Sequence, residues 1–182
     1  TVTDHLGNSL SFTEGSNHQP LVMNAPGVQV TYEYDASQRL SSVRRVVDGE
    51  VTQRKYHYEV MDNPNLLTGI TDELGVRYAT WSYDAEGRAI SSEHAGGADR
   101  VEIAYNDDGS ATVTNELGKK ATYRFQTIQG IKRITAIEGE PSPNCPSSNS
   151  TFTYDDRGLL KTKTDNKGCL LYTSPSPRDA TL

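Results

Sequence analysis

Four histidines, His5, His18, His57 and His94, are the side chains best suited to hold a metal or move protons near neutral pH. They are scattered, with no His-Glu-x-x-His pair and no Cys/His spacing that would bring ligands together. No metal site is therefore expected. Carboxylates are plentiful, with 24 Asp and Glu against 18 Lys and Arg, and paired carboxylates can do acid–base work. Asp35, Asp84 and Asp155, however, recur at one position of a repeated motif, where a short carboxylate caps its own backbone. The doublets Asp107-Asp108 and Asp155-Asp156 lack the Asp-x-Asp-x-Asp-Gly spacing and terminal Glu of a calcium loop, so solvated turns are the expected reading. There is no Gly-x-Ser-x-Gly elbow and no Walker loop. Thr1 is read as a fragment end, not an N-terminal nucleophile. Neither a catalytic residue nor a cofactor is expected.

Those recurring aspartates belong to a larger pattern: an aromatic-x-aromatic pair, then Asp, Asn or a relative, then a turn. It stands at Tyr32-Glu33-Tyr34-Asp35, Trp81-Ser82-Tyr83-Asp84 and Phe152-Thr153-Tyr154-Asp155. Weaker copies are Tyr56-His57-Tyr58-Glu59, Ile103-Ala104-Tyr105-Asn106 and Tyr123-Arg124-Phe125-Gln126. The second aromatics fall at 34, 58, 83, 105, 125 and 154, roughly 20 to 29 residues apart, the period of a repeat architecture. A repeat cannot bury its apolar face alone, so the chain reads as a slice of a larger stacked assembly.

Two turn signals mark each unit. The first follows the aromatic pair, as in Asp84-Ala85-Glu86-Gly87-Arg88, Asn106-Asp107-Asp108-Gly109 and Asp155-Asp156-Arg157-Gly158. The second lies midway: Asp4-His5-Leu6-Gly7, Asp72-Glu73-Leu74-Gly75, Asn115-Glu116-Leu117-Gly118 and Asp165-Asn166-Lys167-Gly168, with Asp48-Gly49 and Gly96-Gly97 in the equivalent place elsewhere. Asx opens such a turn through its side chain, and Gly accepts the positive φ that closes it. Between turns the segments alternate in polarity. In Val76–Tyr83, for example, Val76, Tyr78, Thr80 and Ser82 share one face, and Arg77, Ala79, Trp81 and Tyr83 the other. The expected fold is all-β: tandem antiparallel hairpins in a meander that forms one coiled sheet. Two places break the period. Met61-Asp62-Asn63-Pro64-Asn65 puts a proline where a Gly turn belongs, and Pro141–Ser150 carries three prolines; both are expected to be surface excursions.

A net charge of −6 argues against broad attraction to nucleic acid or anionic membrane. No apolar stretch nears the roughly 20 residues that span a bilayer, so no membrane insertion by this segment is expected. Residues 1–168 carry the repeats. Beyond them, Cys169 to Asp179 reproduces one reading frame of a transposase adapter used in sequencing-library preparation, and residues 169–182 are read as a non-native tail. Cys145 is then the one native cysteine, and no Cys145–Cys169 disulfide is inferred.

Tyr83-Asp84-Ala85-Glu86-Gly87-Arg88, the degenerate Tyr34-Asp35-Ala36-Ser37-Gln38-Arg39, and the stretches Leu67–Gly75 and Ile90–Gly97 resemble the YD repeats of the bacterial Rhs family. The repeat signature comprises Tyr34, Asp35, Tyr58, Asp72, Gly75, Tyr83, Asp84, Gly87, Arg88, Tyr105, Gly109, Gly118, Tyr154, Asp155 and Gly158. The resemblance implies that the repeats are part of a larger hollow β-shell, that their partners are neighbouring repeats and an enclosed C-terminal toxin domain, and that the parent is secreted or delivered from a bacterial surface. The family's core-ending motif with its autoproteolytic aspartates has no counterpart here, so no catalytic residue carries over. A second reading keeps the fold and changes the role: a surface adhesin whose exposed aromatics stack on glycan. The scaffold reading instead has Tyr34, Tyr83, Tyr105 and Tyr154 stacking as cross-strand neighbours.

Overall fold

The computed structural model describes residues 1–139 and 149–173. The chain divides into two compact units, Thr1–Ala98 and Asp99–Leu182. The first holds β1 (Val2–Thr3), β2 (Ser9–Glu14), β3 (Pro20–Ala25), β4 (Val28–Tyr34), β5 (Leu40–Val47), β6 (Glu50–His57), β7 (Gly69–Thr71), β8 (Arg77–Tyr83) and β9 (Ala89–His94), with a short 3-10 turn at Ala95–Gly97. The second holds β10 (Val101–Tyr105), β11 (Ala111–Thr114), β12 (Lys120–Ile128), β13 (Ile131–Gly139), β14 (Ser150–Tyr154), β15 (Leu160–Asp165) and β16 (Leu170–Thr173). Strand order within each unit follows chain order, every pairing is antiparallel, and the sheet is unclosed. The all-β hairpin meander is the fold observed.

Period-two alternation gives each unit an apolar and a polar face, because paired residues point the same way. In the first unit the pairs Met23–Val30, Tyr32–Val43, Tyr56–Ile70 and Ile70–Ala79 build the apolar face. The reverse face shows Thr31–Arg44, Ser42–Lys55 and Gly69–Thr80. The second unit repeats the division, with Ile103–Val113 and Tyr123–Ile137 on one side and Thr112–Thr122 and Thr151–Thr164 on the other. Burial is shallow. Val30, Ala79 and Ala111 form the buried apolar core, and no large side chain is fully buried among the described residues. A layer this thin is held by its backbone ladder and by cross-strand pairs, each worth about 0.2–1 kcal/mol.

Three kinds of turn connect the strands. Tight two-residue reversals stand at Asp48-Gly49 (φ 52° and 87°) and Gln129-Gly130 (φ 52° and 76°), both left-handed as a type I′ turn requires. Pro26-Gly27 joins β3 to β4, with a positive φ only at the glycine, the type II arrangement. The others, apart from the crossover through residues 58–68 and the connection through residues 140–148, which lies outside the described residues, are three-residue loops closed by a left-handed residue. After several of these a β-bulge follows at once. The register slips between Glu33 and Tyr34, between Ser82 and Tyr83, and between Thr153 and Tyr154, so two residues of the returning strand face one. The weak copy at Tyr123–Gln126 is corrected here. No turn follows Phe125; β12 runs on to Ile128, and the chain reverses at Gln129-Gly130. The register slips between Arg124 and Phe125, as it does before Tyr34, Tyr83 and Tyr154, but Phe125 then pairs with Ile134 and the ladder continues.

β16 lies inside residues 169–182 and pairs with β15; an open strand edge accepts any extended segment. Cys169 is exposed. Cys145 and the prolines of the 141–150 excursion lie outside the described residues.

Candidate functional site

The repeated device is a five-residue turn, clearest at Asp84-Ala85-Glu86-Gly87-Arg88. The Asp84 N–H donates to the Arg88 carbonyl at 3.0 Å, and the Gly87 N–H returns to the Asp84 carbonyl at 3.0 Å. Gly87 sits at φ 77°, where a side chain is strained. The Asp84 carboxylate then does what the sequence spacing demands. Its Oδ1 accepts the N–H groups of Glu86 (3.1 Å) and Arg88 (2.8 Å), and its Oδ2 accepts the Arg88 Nε at 2.7 Å. Tyr-Asp-x-x-Gly-Arg is thus one hydrogen-bonded ring plus an ion pair.

The same closure recurs at Asp4, Asp35, Asp72, Asn115, Asp155 and Asp165. Gly75, Gly109, Gly118 and Gly158 hold the left-handed position in their loops. Hydrogen bonds bias the carboxylates towards ionisation. The Arg39 backbone N–H and then its guanidinium hold Asp35 below the usual range, and the Leu159 N–H does so for Asp155. At Asp84 burial pushes upward, but the Arg88 backbone and side-chain bonds outweigh it.

Departures from the motif are absorbed locally. Gln38 (φ 64°) and His18 (φ 59°) fill the glycine position by adopting its backbone conformation. Asn106 keeps the backbone closure to Ser110, but its Nδ2 turns to Ser110 Oγ (2.8 Å) and Thr112 Oγ1 (3.1 Å). Asp108, not Asn106, caps that loop, accepting the Ser110 N–H at 3.0 Å.

The second aromatic of each pair has a role that its type alone did not reveal. Tyr34 donates its hydroxyl to the Pro20 carbonyl (3.0 Å), Tyr58 to Leu40 (3.1 Å), Tyr83 to Leu67 (2.7 Å) and Tyr154 to Ile134 (2.7 Å). Each reaches a carbonyl 14 to 20 residues earlier, so successive hairpins are tied hydroxyl to backbone. For Tyr34, Tyr83 and Tyr154 this replaces the expected ring-on-ring stacking. Tyr105 instead lies at a strand end, 39% exposed, opposite Ala111. A tyrosine in place of phenylalanine at the second position was the available signal.

Along the margin that carries the Tyr-Asp turns of the first unit, each loop touches the next. Asn17 Nδ2 meets Gln38 Oε1 at 3.3 Å, Arg39 Nη1 donates to the Pro64 carbonyl, and Asn63 lies against Gly87. The Met61–Asn65 excursion therefore fills the place of a missing turn between two regular ones. Arg39 also lies 4.7 Å from the Tyr58 ring centre, a cation–π placement.

Where that turn is missing, a longer-range cluster takes over. Glu59 forms a two-pronged pair with Arg77 (3.0 and 2.8 Å) and accepts the Thr68 hydroxyl at 2.8 Å. Arg77 Nη2 also donates to the Thr68 carbonyl at 3.0 Å, and the Thr68 N–H donates to the His57 carbonyl at 2.7 Å. The guanidinium lies flat on Gly69; a Cβ there would sit within 2.4 Å of it. Arg77, followed by Thr68, holds the Glu59 carboxyl down at about 2. Burial, then Arg77, lowers His57, whose Nε2 lies 2.7 Å from Thr71 Oγ1. Nothing in the spacing of Glu59 and Arg77 announced this pair.

Among the described residues no three His, Cys, Asp or Glu side chains converge as a metal would require. No protein-family model matches the chain, and no curated protein matches it. Among solved structures, a crystal structure of TcdB2-TccC3 without its hypervariable C-terminal region superposes with a TM-score of 0.62 at 15% identity, covering 91% of this chain. The likeness shows an Rhs-like fold. The chain spans only 9% of the length of that structure.

Proposed function

We propose that this chain is a wall segment of an Rhs-type polymorphic-toxin shell, enclosing a C-terminal toxin domain. The observation that carries the reading is the unclosed hairpin meander, tied by Tyr-Asp turns, with its likeness to TcdB2-TccC3 solved without its hypervariable C-terminal region. The segment does its work by containment and needs no catalytic group of its own. Repeats stack by hydroxyl-to-carbonyl ties and turn-to-turn contacts, and a cargo polypeptide lies against the resulting wall. The parent is secreted or delivered from a bacterial surface, and the partners of the segment are the adjoining repeats and that cargo.

The test is to read the coding frame onward from Lys167 by a method free of transposase adapters. Further Tyr-Asp units followed by an abrupt change into an unrelated domain support the shell. Repeats that run into a wall or membrane anchor overturn it in favour of the glycan-binding adhesin.

A further inference from the structure

The apolar face of the first unit carries a charge that its neighbours do not answer. Arg45 and Arg54 share this face, because Arg45 pairs with Val30 and Thr52 while Arg54 pairs with Val43. Together with Val43, Thr52, Tyr56 and Glu73 they line an open groove of about 350 Å³. Arg54 is paired with Glu73 at 2.9 Å. Arg45 is exposed and has no acidic partner among the described residues. The second unit repeats the theme independently: Lys132 stands 5.2 Å from the Phe125 ring centre, and Lys163 stands 5.7 Å from that of Phe152. On the polar faces Arg77 is paired with Glu59, and Arg124 with both Asp108 and Glu138; Arg44 and Lys55 stand there without an acidic partner among the described residues, but line no groove with apolar walls as Arg45 does. An acidic chain, net −6, thus sets cations beside aromatics on the apolar face of each unit.

The geometry points to this face as the cargo-facing side of the wall, taking an acidic polypeptide segment with apolar side chains, one of its carboxylates seated on Arg45. Apolar groups of such a segment cover Val43 and Tyr56, while a carboxylate forms the forked pair a guanidinium favours. A partly desolvated pair of this kind sets orientation and partner choice more than affinity, as suits a wall that must hold cargo and release it. The inference rests on the shell reading. It differs from that reading in naming a face and a ligand chemistry.

Trp81, the one tryptophan, lies on the same face three strands away and level with Tyr58, about 25 Å from Arg45 at ordinary strand dimensions, and is a built-in reporter for a peptide long enough to run from Arg45 past Tyr56. The full chain is titrated with a synthetic peptide alternating Glu with Leu and Tyr, and with its Lys counterpart, while Trp81 fluorescence is followed. The Glu peptide should bind, weakening with salt. Arg45→Glu should weaken it at least tenfold and favour the Lys peptide; Arg45→Gln, the milder change, should weaken it several-fold. Arg44→Glu, on the opposite face, should leave it unchanged. Equal binding by Arg45→Glu, an equal loss in Arg44→Glu, or no binding of the Glu peptide would each overturn the inference. So would a Trp81 response to a neutral oligosaccharide alone, which assigns the face to glycan, or a self-association dispersed by Arg45→Glu, which assigns it to a second copy. Failure here alongside a frame that reads into a toxin domain leaves the shell standing without this contact. Success alongside a frame that reads into an anchor retires the shell instead.

Discussion

Two stretches of one margin, the Asp84–Arg88 turn and the Tyr58–Thr68 crossover, solve the same problem by different physics. Both reverse the chain after an aromatic pair and leave backbone donors to satisfy. At Asp84 everything is local: one carboxylate caps two N–H groups and an arginine four residues on. At the crossover the proline-bearing insertion prevents that closure. Glu59 instead reaches 18 residues ahead to Arg77, with Thr68 tied between them. A local cap depends on one residue type and one backbone conformation. A long-range clamp depends on several side chains at once, so its disruption is spread over three strands.

The comparison can be broken most sharply at Gly69. Gly69→Leu drives a side chain into the Arg77 guanidinium, which must leave Glu59 and Thr68. A loss of about 2 kcal/mol is expected by denaturant unfolding, because the flexible guanidinium can swing away and the cost is the part-exposed pair with Glu59 and the hydrogen bond to the Thr68 carbonyl. Gly87→Val tests the local solution: a β-branched residue at φ 77° beside Asn63 should lose about 2 kcal/mol. Unchanged stability there would show that the loop does not need its left-handed residue. Tyr83→Phe removes one hydroxyl and leaves the Leu67 carbonyl without that donor, for about 1 kcal/mol; hydrogen exchange should quicken along β8 while the turn itself stays protected.

The smallest effect is that of pH on the clamp. The folded pKa of Glu59 is about 2, below its ordinary 4.5. Its stabilisation is therefore complete above about pH 4.5 and fades as pH falls towards 2. Glu59 is more than half exposed, so solvent screening limits the gain to about 0.5–1 kcal/mol. Glu59→Gln should flatten that part of the stability curve. A curve that stays as steep would place the acid sensitivity in the capped aspartates.

How far these two solutions were legible follows from their range. Asp84, Gly87 and Arg88 sit within five residues, and residue chemistry fixes their conformation, so the turn and the meander could be read from spacing. The face alternation of Ala79 and Trp81 was legible for the same reason, but Arg77, expected on their face, is carried to the other by the register shift between Ile70 and Thr71 and lies opposite Thr71. Reading failed where pairing across strands decides. Phe125 looks like the end of a repeat, yet its ladder with Ile134 carries β12 on to Gln129-Gly130. Asp108 takes over from Asn106 because an amide can turn its donor to Ser110. The hydroxyl ties of Tyr34, Tyr58, Tyr83 and Tyr154 span 14 to 20 residues, and only a fixed register brings those carbonyls within reach.

The central claim, that these hairpins wall off a cargo, is tested most directly by limited proteolysis of the full-length parent, with its C-terminal domain followed by mass spectrometry. The account predicts that the domain survives a protease that digests it rapidly once freed, and that loosening the wall through Gly69→Leu shortens its lifetime. Cleavage of the domain within the intact parent at the rate of the free domain would contradict the account.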